Sequence, residues 1–119
     1  MQALEITIEP VTSLQNTHAA HFQGAFDGGV KEPLEGIEKL IMGSTEKMIV
    51  IFDFKSLDYL NSYAIGQLVA WHNHLVKKGG QLIIASPSKN VEDIFNIVGI
   101  STMLKIFPDV ESAVASLSN

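Results

Sequence analysis

The stretch Tyr59-Leu60-Asn61-Ser62-Tyr63-Ala64 holds an amide, a hydroxyl and a phenol in consecutive positions, where an apolar run gives way to an amphipathic one. At a helix start such residues have two chemical uses. Asn61 or Ser62 can accept a hydrogen bond from one of the amides that the first turn leaves unpaired. A hydroxyl there can also carry a phosphate, which free amides and the helix dipole stabilise. Asp53 stands near the end of the apolar run MIVIFDF; a carboxylate there can bond backbone amides at the sheet's edge and organise the loop that follows. Four histidines invite a metal reading. His18 and His21 are an odd number apart in a predicted strand, so they point to opposite faces. His72 and His74 lie roughly 200° apart around a predicted helix. Neither pair converges, and the spacing predicts a half-buried His72 with the other three in solvent. No metal site is expected.

Other chemistries find no pattern. GAFDGG, residues 24–29, lacks the strand–turn–helix spacing of a nucleotide-binding loop. No serine stands in Gly-x-Ser-x-Gly, so a Ser–His–Asp set has no nucleophile elbow. Asp53 invites comparison with the phosphoacceptor of response-regulator receivers. Those also need an acidic pair after the first strand to hold magnesium, and nothing after Leu4–Ile8 supplies one. Lys105 lies in LKIFPD and not in the lysine-proline step of that family. No catalytic residue and no cofactor is expected.

The elements that must position these residues follow from periodicity. Leu4, Ile6 and Ile8 alternate with polar residues as a half-buried strand does. His18–Phe26 alternates again, with Ala20, Phe22, Gly24 and Phe26 on one face, and Asp27-Gly28-Gly29 breaks the run as a turn. Pro33 suits a first helical turn, Leu34, Ile37, Leu40 and Ile41 form a stripe, and Gly43 can end the helix. Met48–Phe54 is almost wholly apolar, as expected of a strand covered on both faces in a parallel sheet. A helix over 63–78 carries Ala64, Ile65, Leu68, Val69, His72, Leu75 and Val76, with Lys77, Lys78 and Gly79-Gly80 closing it. Residues 81–86 form a second buried strand. Ser88 or Asn90 can cap a helix with Val91, Ile94, Phe95 and Val98 that ends at Gly99. Met103–Phe107 is a short strand, and Pro108-Asp109 opens a helix with Val110, Ala113, Val114 and Leu117. Strand and helix alternate from residue 31 onward, which calls for parallel pairs joined by right-handed crossovers.

With 119 residues the chain is expected to be one domain, 1–119, large enough to bury a core without staples. It has no cysteine, hence no disulfide and no thiolate metal site. The net charge is −5, with eight lysines and no arginine, which speaks against nucleic-acid binding. MQALEITIEP does not have the pattern of a signal peptide, and no apolar run reaches the ~18–20 residues of a membrane span. A cytoplasmic protein with protein partners and no membrane insertion is expected.

Taken in order, these pieces resemble a STAS domain, the domain of bacterial anti-sigma-factor antagonists. The family pattern is an apolar strand ending in aspartate, here Asp53, then an apolar pair, Tyr59-Leu60, and Asp-Ser-Ser/Thr-Gly, which Asn61-Ser62-Tyr63-Ala64 replaces. A helix, a Gly79-Gly80 turn, the strand Leu82–Ala85, a helix ending at Gly99-Ile100 and a strand with Phe107-Pro108 follow. GAFDGG is similar to the family's early Gly-x-hydrophobic-Asp turn, with Asp27 as its acid. The likeness covers roughly residues 20–117. It implies an α/β STAS fold, a mixed and mostly parallel sheet of four to five strands with about four helices. It also implies a binding protein that is not an enzyme, with an anti-sigma-factor antagonist-like role in partner-switching control of transcription. The partner would be an anti-sigma factor that is also a serine kinase, which phosphorylates the antagonist at this helix start and so ends binding; a phosphatase would reset the switch.

The departures from the pattern fall on that site. The family's acceptor position holds Tyr63, the preceding serine is kept as Ser62, the leading aspartate is Asn61 and the glycine is Ala64. A phenolic oxygen lies several ångströms farther from the backbone than a seryl oxygen and misses both the kinase's geometry and the helix amides. Three states follow: an unmodified module that binds or scaffolds constitutively, phosphate on Ser62 as candidate phosphoacceptor, or phosphate on Tyr63. Asn61 removes one negative charge and adds a donor. The expected partner surface is the Asp27 turn, a 58–63 loop that includes Asp58, and the exposed face of the following helix with Gln67, Asn73 and His74. Alternatives of another class are a non-phosphorylated scaffold or transporter-associated STAS subunit, and a small-molecule sensor with Phe22 and Phe26 in its pocket.

Overall fold

Ile6 and Ile8 point inward between Glu5, Thr7 and Glu9, and this two-residue period forms β1 (Glu5–Pro10). The computed structural model describes residues 2–118. β1 pairs antiparallel with β2 (Thr17–Phe26). The apolar run after it becomes β3 (Ile49–Leu60), flanked by β2 and by β4 (Gln81–Ala85), both parallel to it. β5 (Lys105–Phe107) adds a last parallel pair. The order in the mixed, mostly parallel five-stranded sheet is β1-β2-β3-β4-β5.

β3 does not stop where the apolar run stops. Ser56 and Leu57 go on pairing with Gln23 and Gly24 after one register shift, and Tyr59 and Leu60 with Ala25 and Phe26 after a second. Asp58 and Tyr59 are therefore strand residues, and the expected 58–63 loop is corrected to a strand that hands over to a helix at Asn61. Hydropathy misses this extension because its outward side chains, Lys55, Ser56, Asp58 and Tyr59, are exposed.

Among the described residues four α-helices accompany the strands, three of them in the crossovers. A 3-10 turn (Glu32–Leu34) with Pro33 leads into α1 (Glu35–Met42), which ends at Gly43. α2 (Ser62–Lys77) follows β3. α3 (Lys89–Val98) is capped by Ser88, whose Oγ accepts from the Val91 amide at 3.2 Å, and is stopped by Gly99 at φ 80°. α4 (Val110–Leu117) is capped by Asp109.

The sheet has two covered faces. Phe22, Phe26, Phe52 and Phe54 join α1, α2 and α3 through Ile37, Ile41, Leu68, Trp71 and Phe95. Trp71 stacks on Phe26 at 6.1 Å and meets Phe52 edge-on at 5.7 Å. The sequence-based stripe for α2 omits Trp71 and includes Val76. The helix buries the row Ala64, Leu68, Trp71, Leu75, while Val76 is 50% exposed. That row has three- and four-residue steps, so Trp71 lies on its axis and Val76 beside it. On the other face Ile51, Ile83 and Ala85 pack against Ala113, Val110, Val114 and Leu117 of α4. α4 packs on β3, β4 and β5. On this same face, toward β1, stand Glu5, Thr7, Glu9, His21 and Gln23, all exposed or half-buried.

Candidate functional site

Asn61 takes extended backbone, φ −125°, and its Oδ1 accepts from the Ala64 amide at 3.2 Å, which makes it the N-cap of α2. Its Nδ2 donates to the carbonyl of Asp27 at 3.1 Å. One amide side chain thus ties the end of β2 to the start of α2. An aspartate, the residue of the family pattern, can make the first bond but has no N–H for the second. Asp27 itself accepts from the Gly29 amide through Oδ1 at 2.9 Å, an Asx turn that leaves its carboxylate exposed.

Ser62 is the first residue of α2 and its side chain is exposed. Tyr63 is half-buried and joins the main core. Its ring lies edge-on to Phe26, with centroids 6.4 Å apart. The ammonium of Lys31 sits 5.1 Å from the ring centroid, within reach of a cation–π attraction. The ring also rests on Gly28: a Cβ there would fall 2.7 Å from Tyr63 Cδ2, and Gly28 has φ 82°. Tyr63, Lys31, Leu34, Glu35, Glu38 and Gln67 line a groove of about 240 Å³ between α1 and α2. Ala64, in place of the family's glycine, is fully buried, so its methyl group fits the core.

The structure therefore brings Asp27, Asn61, Ser62 and Tyr63 to one corner, with Gln67 farther along the groove. Asp58 is exposed near the end of β3. Asn73 is exposed on α2, whereas His74 is half-buried. The expectation that His18, His21 and His74 stand in solvent is corrected, since all three are half-buried. β2 has a strand on each side, and His74 follows Trp71 by one turn on the flank of the buried row. His72 is half-buried as expected; its Nδ1 accepts from the Leu82 amide at 3.2 Å, and burial pushes its pKa down.

Sequence reasoning missed a second cluster. His21 Nδ1 lies 2.7 Å from Asp53 Oδ2, and His21 Nε2 lies 2.7 Å from Glu9 Oε2. The only signal was the type of each residue, because the contact depends on the register of three strands. Asp53 also accepts from the Lys55 amide at 3.1 Å; because β3 runs on to Leu60, the loop expected after Asp53 is corrected to strand, and this bond lies within it. Among the described residues no group of three His, Asp or Glu is placed to hold a metal ion. No helix among them is long and apolar enough to cross a membrane.

The family model of the STAS domain matches residues 12–113. Among solved structures, a putative anti-sigma factor antagonist from Thermotoga maritima superposes with a TM-score of 0.83 at 10% identity, covering 96% of this chain and 95% of that one. The anti-sigma factor antagonist SpoIIAA in its unphosphorylated form gives 0.76 at 20% identity, covering 94% and 95%. A sulfate transporter family protein from Wolinella succinogenes gives 0.70 at 18% identity, covering 85% and 84%. At these identities the likeness is one of fold. No curated protein matches the chain.

Proposed function

The chain belongs to the STAS-domain family, and we propose that it is an anti-sigma-factor antagonist-like binding protein, not an enzyme, that acts in the cytoplasm on a serine-kinase anti-sigma factor. The docking surface in this reading is the corner made by the Asp27 turn, Asp58 and the start of α2. The observation that carries the proposal is the coupling of that turn to that helix through Asn61 and through Tyr63 on Gly28. It gives a preformed surface of two elements, and a preformed surface loses little entropy on binding.

The same packing bears on regulation. Tyr63, at the family's acceptor position, is used as a packing residue against Phe26 and Gly28. A kinase that attacks a short seryl arm there meets a ring. The reading is therefore a constitutive binder. Ser62, exposed at the helix start, is the hydroxyl at this corner that could take a phosphate instead. A phosphate there adds about −1.5 to −2 charges at the corner that holds the Asp27 carboxylate, and binding would weaken without refolding.

The test is incubation with the serine-kinase anti-sigma factor of the same organism and ATP, followed by mass spectrometry and a binding assay. Tight binding without phosphate supports the constitutive reading. Phosphate on Ser62, abolished by Ser62→Ala, replaces it with a switch whose acceptor is shifted by one residue. Absence of binding to any such kinase sinks the proposal. The fold likeness to the sulfate transporter family protein supports a second reading, a transporter-associated subunit that uses the same corner without phosphate. Co-purification with a membrane transporter in detergent would favour it.

A further inference from the structure

We infer that His21 is held as an imidazolium between Glu9 and Asp53, and that it acts as a proton-dependent latch fixing the offset between β2 and β3 and, with it, the placement of residues 56–62.

The geometry requires two donors. Both ring nitrogens lie 2.7 Å from a carboxylate oxygen, Nδ1 from Asp53 Oδ2 and Nε2 from Glu9 Oε2. A neutral imidazole has one N–H and one lone pair, and a lone pair facing a carboxylate repels it. With both carboxylates ionised, only the doubly protonated ring satisfies both contacts. The ring thereby ties β1, β2 and β3 together across the sheet.

The latch sits where the register changes. His21 pairs with Asp53, but the next pair is Gln23 with Ser56, so β3 carries one extra residue over that interval. Asp53 holds both sides of the irregularity: Oδ2 meets His21, and Oδ1 accepts from the Lys55 amide inside it. Beyond it β3 runs through Ser56, Leu57, Tyr59 and Leu60 to the Asn61 cap. A slip here would shift the whole start of α2, because the side-chain period of a strand is two.

The charges around the ring make its proton matter. On β1, Glu9 is bonded to it and Glu5 lines the same hollow, while Thr7 stands opposite in register. On β2 its neighbour in the hollow is Gln23, and on β3 Asp53 is bonded while Lys55 and Ser56 line the hollow. On β4 the neighbour of Asp53 is Ala85, which is uncharged. α4, on the same face, packs on β3, β4 and β5, and its acids Asp109 and Glu111 are exposed. Three acids thus face the ring against one lysine, and the imidazolium is the cation bonded to two of them. Burial alone pushes the pKa of His21 down, but the hydrogen bonds to Asp53 and Glu9 and their negative charge outweigh it and hold the pKa above the ordinary value. The latch is then closed at the usual histidine pKa and opens as pH rises through the raised one. The two arms differ: the Glu9 side chain is 62% exposed and screened, whereas Asp53 is 15% exposed.

The test is an NMR titration of the wild-type protein from about pH 5.5 upward through the usual histidine range. Both ring nitrogens of His21 are expected to carry protons near pH ~6.5, with a midpoint above the ordinary value. The backbone amides of 55–62 are expected to shift with that same midpoint. Asp53→Asn should lower the midpoint more than Glu9→Gln, and His21→Gln should leave those amides without the transition. A singly protonated ring at about pH 6.5, a midpoint at or below the ordinary value, or 55–62 amides that stay still while His21 titrates would each overturn the latch. If His21→Gln does not fold, the wild-type titration decides alone.

Discussion

The Asn61 side chain spans two elements: its Nδ2 donates to the Asp27 carbonyl at 3.1 Å while its Oδ1 accepts from the Ala64 amide at 3.2 Å. The exchange of aspartate for asparagine against the family pattern thus has a structural role, a bond that a carboxylate cannot make. Loss of an N-cap costs about 0.5–2 kcal/mol, so Asn61→Ala is expected to lower stability in urea by about that amount. Asn61→Asp keeps the cap and should cost less. Both should speed amide exchange at Gly28 and Gly29, since both free the turn. Equal protection of those amides in wild type and Asn61→Asp would show that the Asp27 bond does not hold the turn.

Tyr63 and Gly28 are a matched pair. Gly28→Ala meets a ring carbon at 2.7 Å and adds a side chain at φ 82°. A cost of about 1–3 kcal/mol is expected from the strain. In a Tyr63→Ser background the clash is gone and the backbone strain alone stays, so the same glycine change should cost less. The coupling in this double-mutant cycle is expected to be on the order of 0.5–3 kcal/mol, read from denaturant midpoints. Strictly additive costs would mean that the ring is not braced on Gly28.

What was legible in the sequence was local. Gly43, Gly99, Ser88 and Asp109 mark helix ends by their own chemistry, and α1, α3 and α4 fall where those signals put them. The cap of α2 was legible for the same reason as Asn61 or Ser62, and the structure uses Asn61. β3 beyond Phe54 was not, because its last residues alternate irregularly and owe their strand form to β2 across two register shifts. Hydropathy does not mark Trp71, because its indole is buried along with a polar bond. The His21 contacts and the support of Tyr63 by Gly28 depend on partners 12 to 35 residues away in the chain, which periodicity does not encode.

The Trp71 indole donates to Glu38 Oε2 at 2.6 Å, although Trp71 is only 1% exposed. A buried N–H left without an acceptor costs about 1–3 kcal/mol. Glu38→Leu is expected to destabilise by that order, and Glu38→Gln, which keeps an acceptor, by much less. Trp71 is the only tryptophan, so its fluorescence follows the change directly. A Glu38→Leu protein as stable as Glu38→Gln would rule the bond out as a support of α2 on α1.

His72 should make the protein acid-sensitive in the sense opposite to His21. β5 pairs only with Ile83, Ile84 and Ala85, so that ladder ends short of Leu82, whose amide donates to His72 Nδ1 at 3.2 Å. An acceptor nitrogen has no proton, so the folded state holds this ring neutral, and burial pushes its pKa down. Between the lowered folded value and the unfolded value of about 6.5, the unfolded chain binds more protons, and stability therefore rises with pH. The contribution is present above the unfolded value and is lost as pH falls from there toward the folded one. His72→Gln keeps an acceptor within reach and cannot titrate. Urea midpoints from about pH 7.5 down to about 5 should fall more steeply in the wild type than in His72→Gln. Parallel slopes would mean that His72 gains its proton as readily folded as unfolded, and that its bond to Leu82 does not set the acid limb.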